Sequence, residues 1–174
     1  MNADIAVRSL GAAKVEARIG ELTRVLLDCV EGGASVSFMR PLERSAADAF
    51  WRGVAAAVAR GERTLIVAED EGVIVGTVQL ITDMPPNQPH RADVAKLLVH
   101  RRTRGSGVGR RLMEALHETA RLQGRTLLVL DTASATAERL YERLGWQRAG
   151  VVPDYALLPD GGLCATTFFY KRIA

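Results

Sequence analysis

Arg104-Gly105-Ser106-Gly107-Val108-Gly109 follows directly on Val94-Ala95-Lys96-Leu97-Leu98-Val99, and this junction decides the fold. The apolar run reads as a buried strand, predicted over Ala92 to Val99. The segment from Gly107 to Arg121 has helical periodicity. A strand, a glycine-rich turn and a helix N-terminus together form a phosphate cradle. Glycine lets backbone N–H groups approach an anion closely, and the first N–H groups of the helix lack partners within it. Arg101, Arg102, Arg104, Arg110 and Arg111 bracket the turn with positive charge. The reading is a phosphorylated, nucleotide-bearing ligand.

Working outward, the spacing of Val15, Ile19, Leu22, Leu26 and Cys29 predicts one helix over Ala12 to Val30, after a first strand from Asp4 to Leu10. Ala34 to Leu42 is irregular. Ser45 is the expected N-cap of a helix over Ala46 to Arg60. Arg63 to Ala68 and Val73 to Ile81 read as a hairpin around Glu69-Asp70-Glu71-Gly72. Three prolines stiffen Asp83 to His90. After the cradle helix come a strand at Thr126 to Leu130, a helix at Ala135 to Leu144 and strands at Trp146 to Val152 and Ala165 to Arg172. This order is a mixed α/β layer fold, read as one domain over residues 1–174.

Hydrophobic residues make up 48% and charged residues 25% of 174, so a substantial core is expected. A net charge of +3 is too small for general nucleic-acid binding, and few aromatics interleave the arginines. Two cysteines far apart suit a reducing cytosol rather than a disulfide framework. With no apolar signal core and no membrane-spanning run, a cytoplasmic protein is expected, with neither membrane nor nucleic acid as partner. His90, His100 and His117 have no metal-ligand spacing, so no metal is expected, and His117 is read as a surface residue. Cys29 and Cys164 read as packing residues, and Trp51 and Trp146 as core anchors.

The glycine turn, together with Ala137-x-x-Leu140-Tyr141-x-x-x-Gly145-Trp146, resembles the GCN5-related N-acetyltransferase (GNAT) superfamily. Arg104, Gly107 and Gly109 match its Gln/Arg-x-x-Gly-x-Gly/Ala turn. Glu31 to Met39, Arg91 to Leu97, Leu130-Asp131-Thr132 and Pro159-Asp160-Gly161 are similar to the tabtoxin-resistance branch. The resemblance implies a twisted, mostly antiparallel sheet flanked by helices and splayed between its fourth and fifth strands. It implies acetyl-CoA as co-substrate, with the pyrophosphate on Arg104, Gly105, Ser106, Gly107, Val108, Gly109 and Arg110, and pantetheine along Leu97, Leu98 and Val99. Ser134 stands where many members carry asparagine.

By the same resemblance, Tyr141 is the acid that protonates the departing thiolate, and Asp93 and Asp131 are general base or ammonium binder. Phe38, Met39, His90 and Tyr155 are candidate walls of the acceptor pocket. The acceptor implied is a small-molecule primary amine, such as an amino-acid-like or β-lactam toxin, and homodimers are common in such families. Alternatives stay open: Tyr141 as a packing residue, the two aspartates as turn caps or partners of arginines, a protein N-terminus or lysine as acceptor, or a CoA-binding module without catalysis.

Overall fold

The computed structural model describes residues 5–173. Asp4, the predicted start of the first strand, lies outside the described residues. The elements are β1 (Ala6–Leu10), α1 (Ala12–Ala17), α2 (Ile19–Glu31), α3 (Arg44–Ala59), β2 (Arg63–Asp70), β3 (Val73–Ile81), β4 (Arg91–Val99), α4 (Val108–Leu122), β5 (Leu127–Thr132), α5 (Ala135–Arg143), β6 (Gln147–Leu157) and β7 (Leu163–Arg172). The seven strands form one sheet in the order β1-β2-β3-β4-β5-β7-β6. Every pairing is antiparallel except β4 with β5.

Two cores sandwich the sheet. On one face α4 presents Val108, Leu112, Met113, Leu116 and Ala120 to Ile66, Val78, Leu80, Val94 and Leu128. That is the helical stripe read from the sequence, and each large side chain contributes roughly 1.5–3 kcal/mol of burial. On the other face α1, α2 and α3 pack Val15, Leu26, Trp51 and Val54 against Leu65, Val67, Ile74 and Leu98. β2 and β3 are covered on both faces, which is why they read as apolar runs rather than alternations. The β2–β3 turn is Glu71-Gly72, both with positive φ (50° and 79°), the conformation that matches strand twist.

Three sequence expectations change. The helix predicted over Ala12 to Val30 breaks at Arg18, whose φ of −117° and ψ of 17° separate α1 from α2. Arg18 there pairs with Glu21 and Glu69 and donates to the Gly72 carbonyl at 2.7 Å, tying the break to the β2–β3 turn. Periodicity carries no trace of this tertiary contact. Helix α3 is capped at Glu43 and not at Ser45, and no side chain caps it.

His117, read as a surface residue, is 6% exposed. Its Nε2 accepts a hydrogen bond from Trp146 Nε1 at 3.1 Å. A buried indole N–H requires an acceptor, and α4 supplies one. Burial, assisted by the charges of Lys171 and Arg121, pushes the imidazole down to about 4, so the ring is neutral.

β4 and β5 pair only at Arg91↔Leu127, Ala92↔Leu128 and Asp93↔Val129. Beyond Asp93 they diverge. A register slip between β3 and β4 sets both Lys96 and Leu97 opposite Val78, and Lys96 has a φ of 54°. This bulge twists β4 away from β5. The splay expected between the fourth and fifth strands is therefore present.

Candidate active site

The divergence opens a cleft of about 1150 Å³. Along one wall run Val94 to Val99; the opposite wall is Leu130, Asp131 and Thr132 with Ser134, Ala137, Leu140 and Tyr141 of the α5 segment. The glycine turn closes one end through Arg104, Gly105, Gly107, Val108, Gly109 and Arg110. Leu97, Leu98 and Val99 are thus brought together with the glycine turn, Tyr141 and Asp131, as the resemblance requires.

Gly107 stands at the N-cap of α4 with a φ of 84° and no side chain capping the helix. Only glycine holds that conformation without strain, and an uncapped helix start leaves N–H groups for an anion. The helix sits close to the sheet because Gly76 on β3 lacks a side chain. A Cβ there would lie 3.0 Å from the Leu98 carbonyl oxygen and 3.1 Å from Val108 Cγ1.

The arginines divide. Arg104 Nε donates to the Val99 carbonyl at 3.1 Å, which fixes the end of β4. Arg101 pairs with Asp28 at 3.0 Å and Arg110 with Glu114 at 2.7 Å. Ser106 Oγ donates to the Thr103 carbonyl at 2.6 Å, and Ser106 does not line the cleft. Ser134 Oγ caps α5 by accepting from the Ala137 N–H at 3.3 Å, while the residue still lines the cleft.

Tyr141 is 5% exposed, with its ring 5.9 Å from that of Trp146 and 5.8 Å from that of Phe169. Burial raises its pKa, and the negative charge of Asp131 adds to the effect, so the phenol keeps its proton. Asp131 Oδ2 accepts a hydrogen bond from Thr166 Oγ1 at 2.7 Å. Asp93 lies in the paired part of the sheet, outside the cleft lining, and forms an ion pair with Arg91. The two carboxylates that the sequence treats alike therefore occupy different surroundings.

Phe38 packs edge-on against Phe50 at 5.3 Å, and Tyr155 against Phe168 at 5.7 Å; neither lines the cleft. Met39 is largely exposed. His90 precedes β4 at the closed end of the splay, where its carbonyl accepts from the Thr126 and Leu127 N–H groups. The segment from Gly32 to Val36 and the side chains of Cys29, Lys96 and Leu158 line the cleft instead. Arg40 clamps this part, since its N–H donates to the Pro159 carbonyl at 2.9 Å and its guanidinium pairs with Asp160. Sequence spacing gave no sign that residues 32–40 and 158–160 meet.

The family model of the acetyltransferase (GNAT) domain matches residues 61–148, just over half of the 174-residue chain. The chain belongs to the GNAT family. Among curated relatives, this GNAT chain is 34% identical over 106 residues to an uncharacterized N-acetyltransferase in the hisH–hisA intergenic region of Azospirillum brasilense. That match covers 60% of the chain and 61% of the relative. It is 37% identical over 87 residues to human N-acetyltransferase 8B, covering 48% of the chain and 38% of that protein. The matches thus span less than two thirds of these relatives' own length.

Solved structures share the fold. An N-acetyltransferase from Staphylococcus aureus Mu50 superposes with a TM-score of 0.82 at 16% identity, over 98% of this chain and 99% of that one. A GNAT superfamily phosphinothricin acetyltransferase from Sinorhizobium meliloti, in complex with acetyl-CoA, superposes with a TM-score of 0.78 at 16% identity, over 100% of this chain and 90% of that one. Among the described residues no cluster of three or more His, Cys, Asp or Glu side chains can hold a metal ion, and no helix is long and apolar enough to cross a membrane.

Proposed function

We propose that the protein transfers an acetyl group from acetyl-CoA to the primary amine of a small molecule. The observation that carries this is the splayed β4–β5 cleft, with an uncapped α4 start at one end and Tyr141 and Asp131 on the wall opposite β4. The N–H groups of Gly107 to Arg110 hold the pyrophosphate, and the β4 backbone from Leu97 to Val99 holds pantetheine. A backbone N–H near Leu98 stabilises the oxyanion as the amine adds to the thioester carbonyl.

The acceptor arrives as an ammonium, with a pKa of about 10, and must lose a proton before it attacks. Asp131 binds that ammonium and receives or relays the proton. When the C–S bond breaks, Tyr141 donates its phenolic proton to the CoA sulfur. Asp93, held by Arg91, supports the floor of this end rather than meeting the acceptor. The likeness of residues 31–39, 130–132 and 159–161 to the tabtoxin-resistance branch supports a small toxin-like or amino-acid-like acceptor in a cytoplasmic protein.

The described residues share one sheet, which supports a single domain over residues 1–174. Exposed apolar side chains on the outer β6–β7 pair, Val151, Val152, Leu157 and Leu163, support the homodimer, because an uncovered apolar edge is a pairing surface.

Thermal denaturation with and without acetyl-CoA tests the reading. At 100 times Kd the ligand stabilises the fold by about 2.7 kcal/mol. For a chain of this size that is a Tm rise of roughly 5–10 °C. Release of free thiol on addition of candidate amines then identifies the acceptor. No shift at millimolar acetyl-CoA overturns the proposal.

A further inference from the structure

Lys96 lines the cleft, yet the transfer just described gives it no part. Its backbone is in the left-handed region, φ 54°, at the β4 bulge. A side chain there is strained, and such strain concentrates at binding sites. Nζ donates to Ser37 Oγ at 3.1 Å and stands 6.0 Å from the centre of the Phe50 ring. An ammonium carries three donors. Among the described residues Lys96 uses one of them. Burial depresses its pKa, Asp131 works against that, and Arg63 adds to the depression.

Arg63 brings a second positive charge to this face. Its Nη1 donates to Gln79 Oε1 at 2.8 Å. The register Leu65↔Gln79↔Ala95 places Gln79 on the face covered by α3, beside Ala95 of the cleft wall. Gln79 is 0% exposed, and both its Nε2 and Arg63 Nε are buried without a hydrogen-bond partner among the described residues. Buried donors without acceptors are unfavourable, and a half-buried cation is more so. Neither Gln79 nor Arg63 lines the cleft, so the unused donors that face it here are those of Lys96. Among the described residues Asp131 is the one carboxylate lining the cleft, and its Oδ2 already accepts from Thr166. Lys96 thus offers the cleft a place for an anion, and Asp131 a place for a cation.

We propose that the acceptor is zwitterionic, an amino-acid-class molecule whose ammonium is received by Asp131 and whose carboxylate is received by Lys96. This rests on the acetyl-transfer reading and narrows its substrate class. Lys96 is then a specificity residue. Its charge, with that of Arg63 behind it, repels an amine that brings no acid of its own. Polyamines and the lysine side chains of proteins are disfavoured for that reason.

The test is calorimetric titration of the CoA-bound protein with free amino acids, β-alanine included, and with the matching carboxamides. At least one free acid is expected to bind roughly tenfold or more tightly than its carboxamide, the effect of one charge-assisted hydrogen bond. In Lys96→Met that ratio falls to about one, and in Lys96→Arg part of it returns, because the charge is restored in a different geometry. Circular dichroism and Tm show that each variant is folded.

Equal binding of acids and carboxamides overturns the proposal. So does an unchanged ratio in Lys96→Met, and so does binding of no member of the panel by a protein that holds CoA. Failure of the wild-type protein to bind CoA at all overturns the acetyl-transfer reading itself, and this inference falls with it.

Discussion

Acidification reaches the core of this protein through His117. His117 is neutral in the fold at a pKa of about 4, against 6.5 ordinarily. The unfolded chain therefore takes up the proton first. The stability that neutral His117 confers is fully present above pH 6.5 and is lost as the pH falls from 6.5 towards 4. The whole effect is about 3 kcal/mol, and about 2 kcal/mol of it is gone by pH 5. The negative charge of Glu114 reduces the shift, while Lys171 and Arg121 enlarge it.

Carboxylates such as Glu21 and Asp28 also weaken the fold in acid, so the comparison must cancel them. His117→Gln does so: an amide oxygen still accepts from Trp146 Nε1 but does not titrate. Urea unfolding of both proteins, followed by tryptophan fluorescence from pH 7.5 to 5, gives the difference directly. The wild type should lose about 2 kcal/mol more than the variant over that range. A difference that stays constant with pH would refute the argument, because it would mean that His117 does not titrate out of the fold.

Tyr141→Phe should lower kcat by roughly 10²–10⁴ with Tm nearly unchanged, measured by thiol release; an unaltered kcat removes the acid role. Gly76→Ala should destabilise the protein by about 1–3 kcal/mol in urea, since its Cβ would meet the rigid Leu98 carbonyl at 3.0 Å as well as α4 side chains. It should also weaken acetyl-CoA binding, because Leu98 and Val108 line the cleft. Replacing Leu157 and Leu163 together by aspartate should convert a dimer to a monomer in light scattering after gel filtration; a monomeric wild type contradicts the assignment of that surface.

The local signals were legible in the sequence because they depend on neighbours in the chain. The glycine turn with its following helix, the apolar stripe of α4 and the runs of β2 and β3 follow from periodicity and from conformations that only glycine adopts easily. The two motifs pointed to acetyl-CoA and to Tyr141, and the likeness to the tabtoxin-resistance branch pointed to Asp131. The break at Arg18, the burial of His117 beneath Trp146 and the meeting of residues 32–40 with 158–160 are contacts between segments far apart in sequence. No spacing encodes them.

The tertiary structure alone separated Asp93 from Asp131. The strands stay paired through Asp93 and part just after it, so one carboxylate is held by Arg91 while the other faces the open cleft. It also turned Lys96 into that cleft through a left-handed bulge, which no alternation along β4 foretells. The sequence by itself determined the glycine turn, the helix that follows it and the apolar strands around them. The packing of the sheet decided which charges share a space, because charge acts over ångströms in three dimensions and not along the chain.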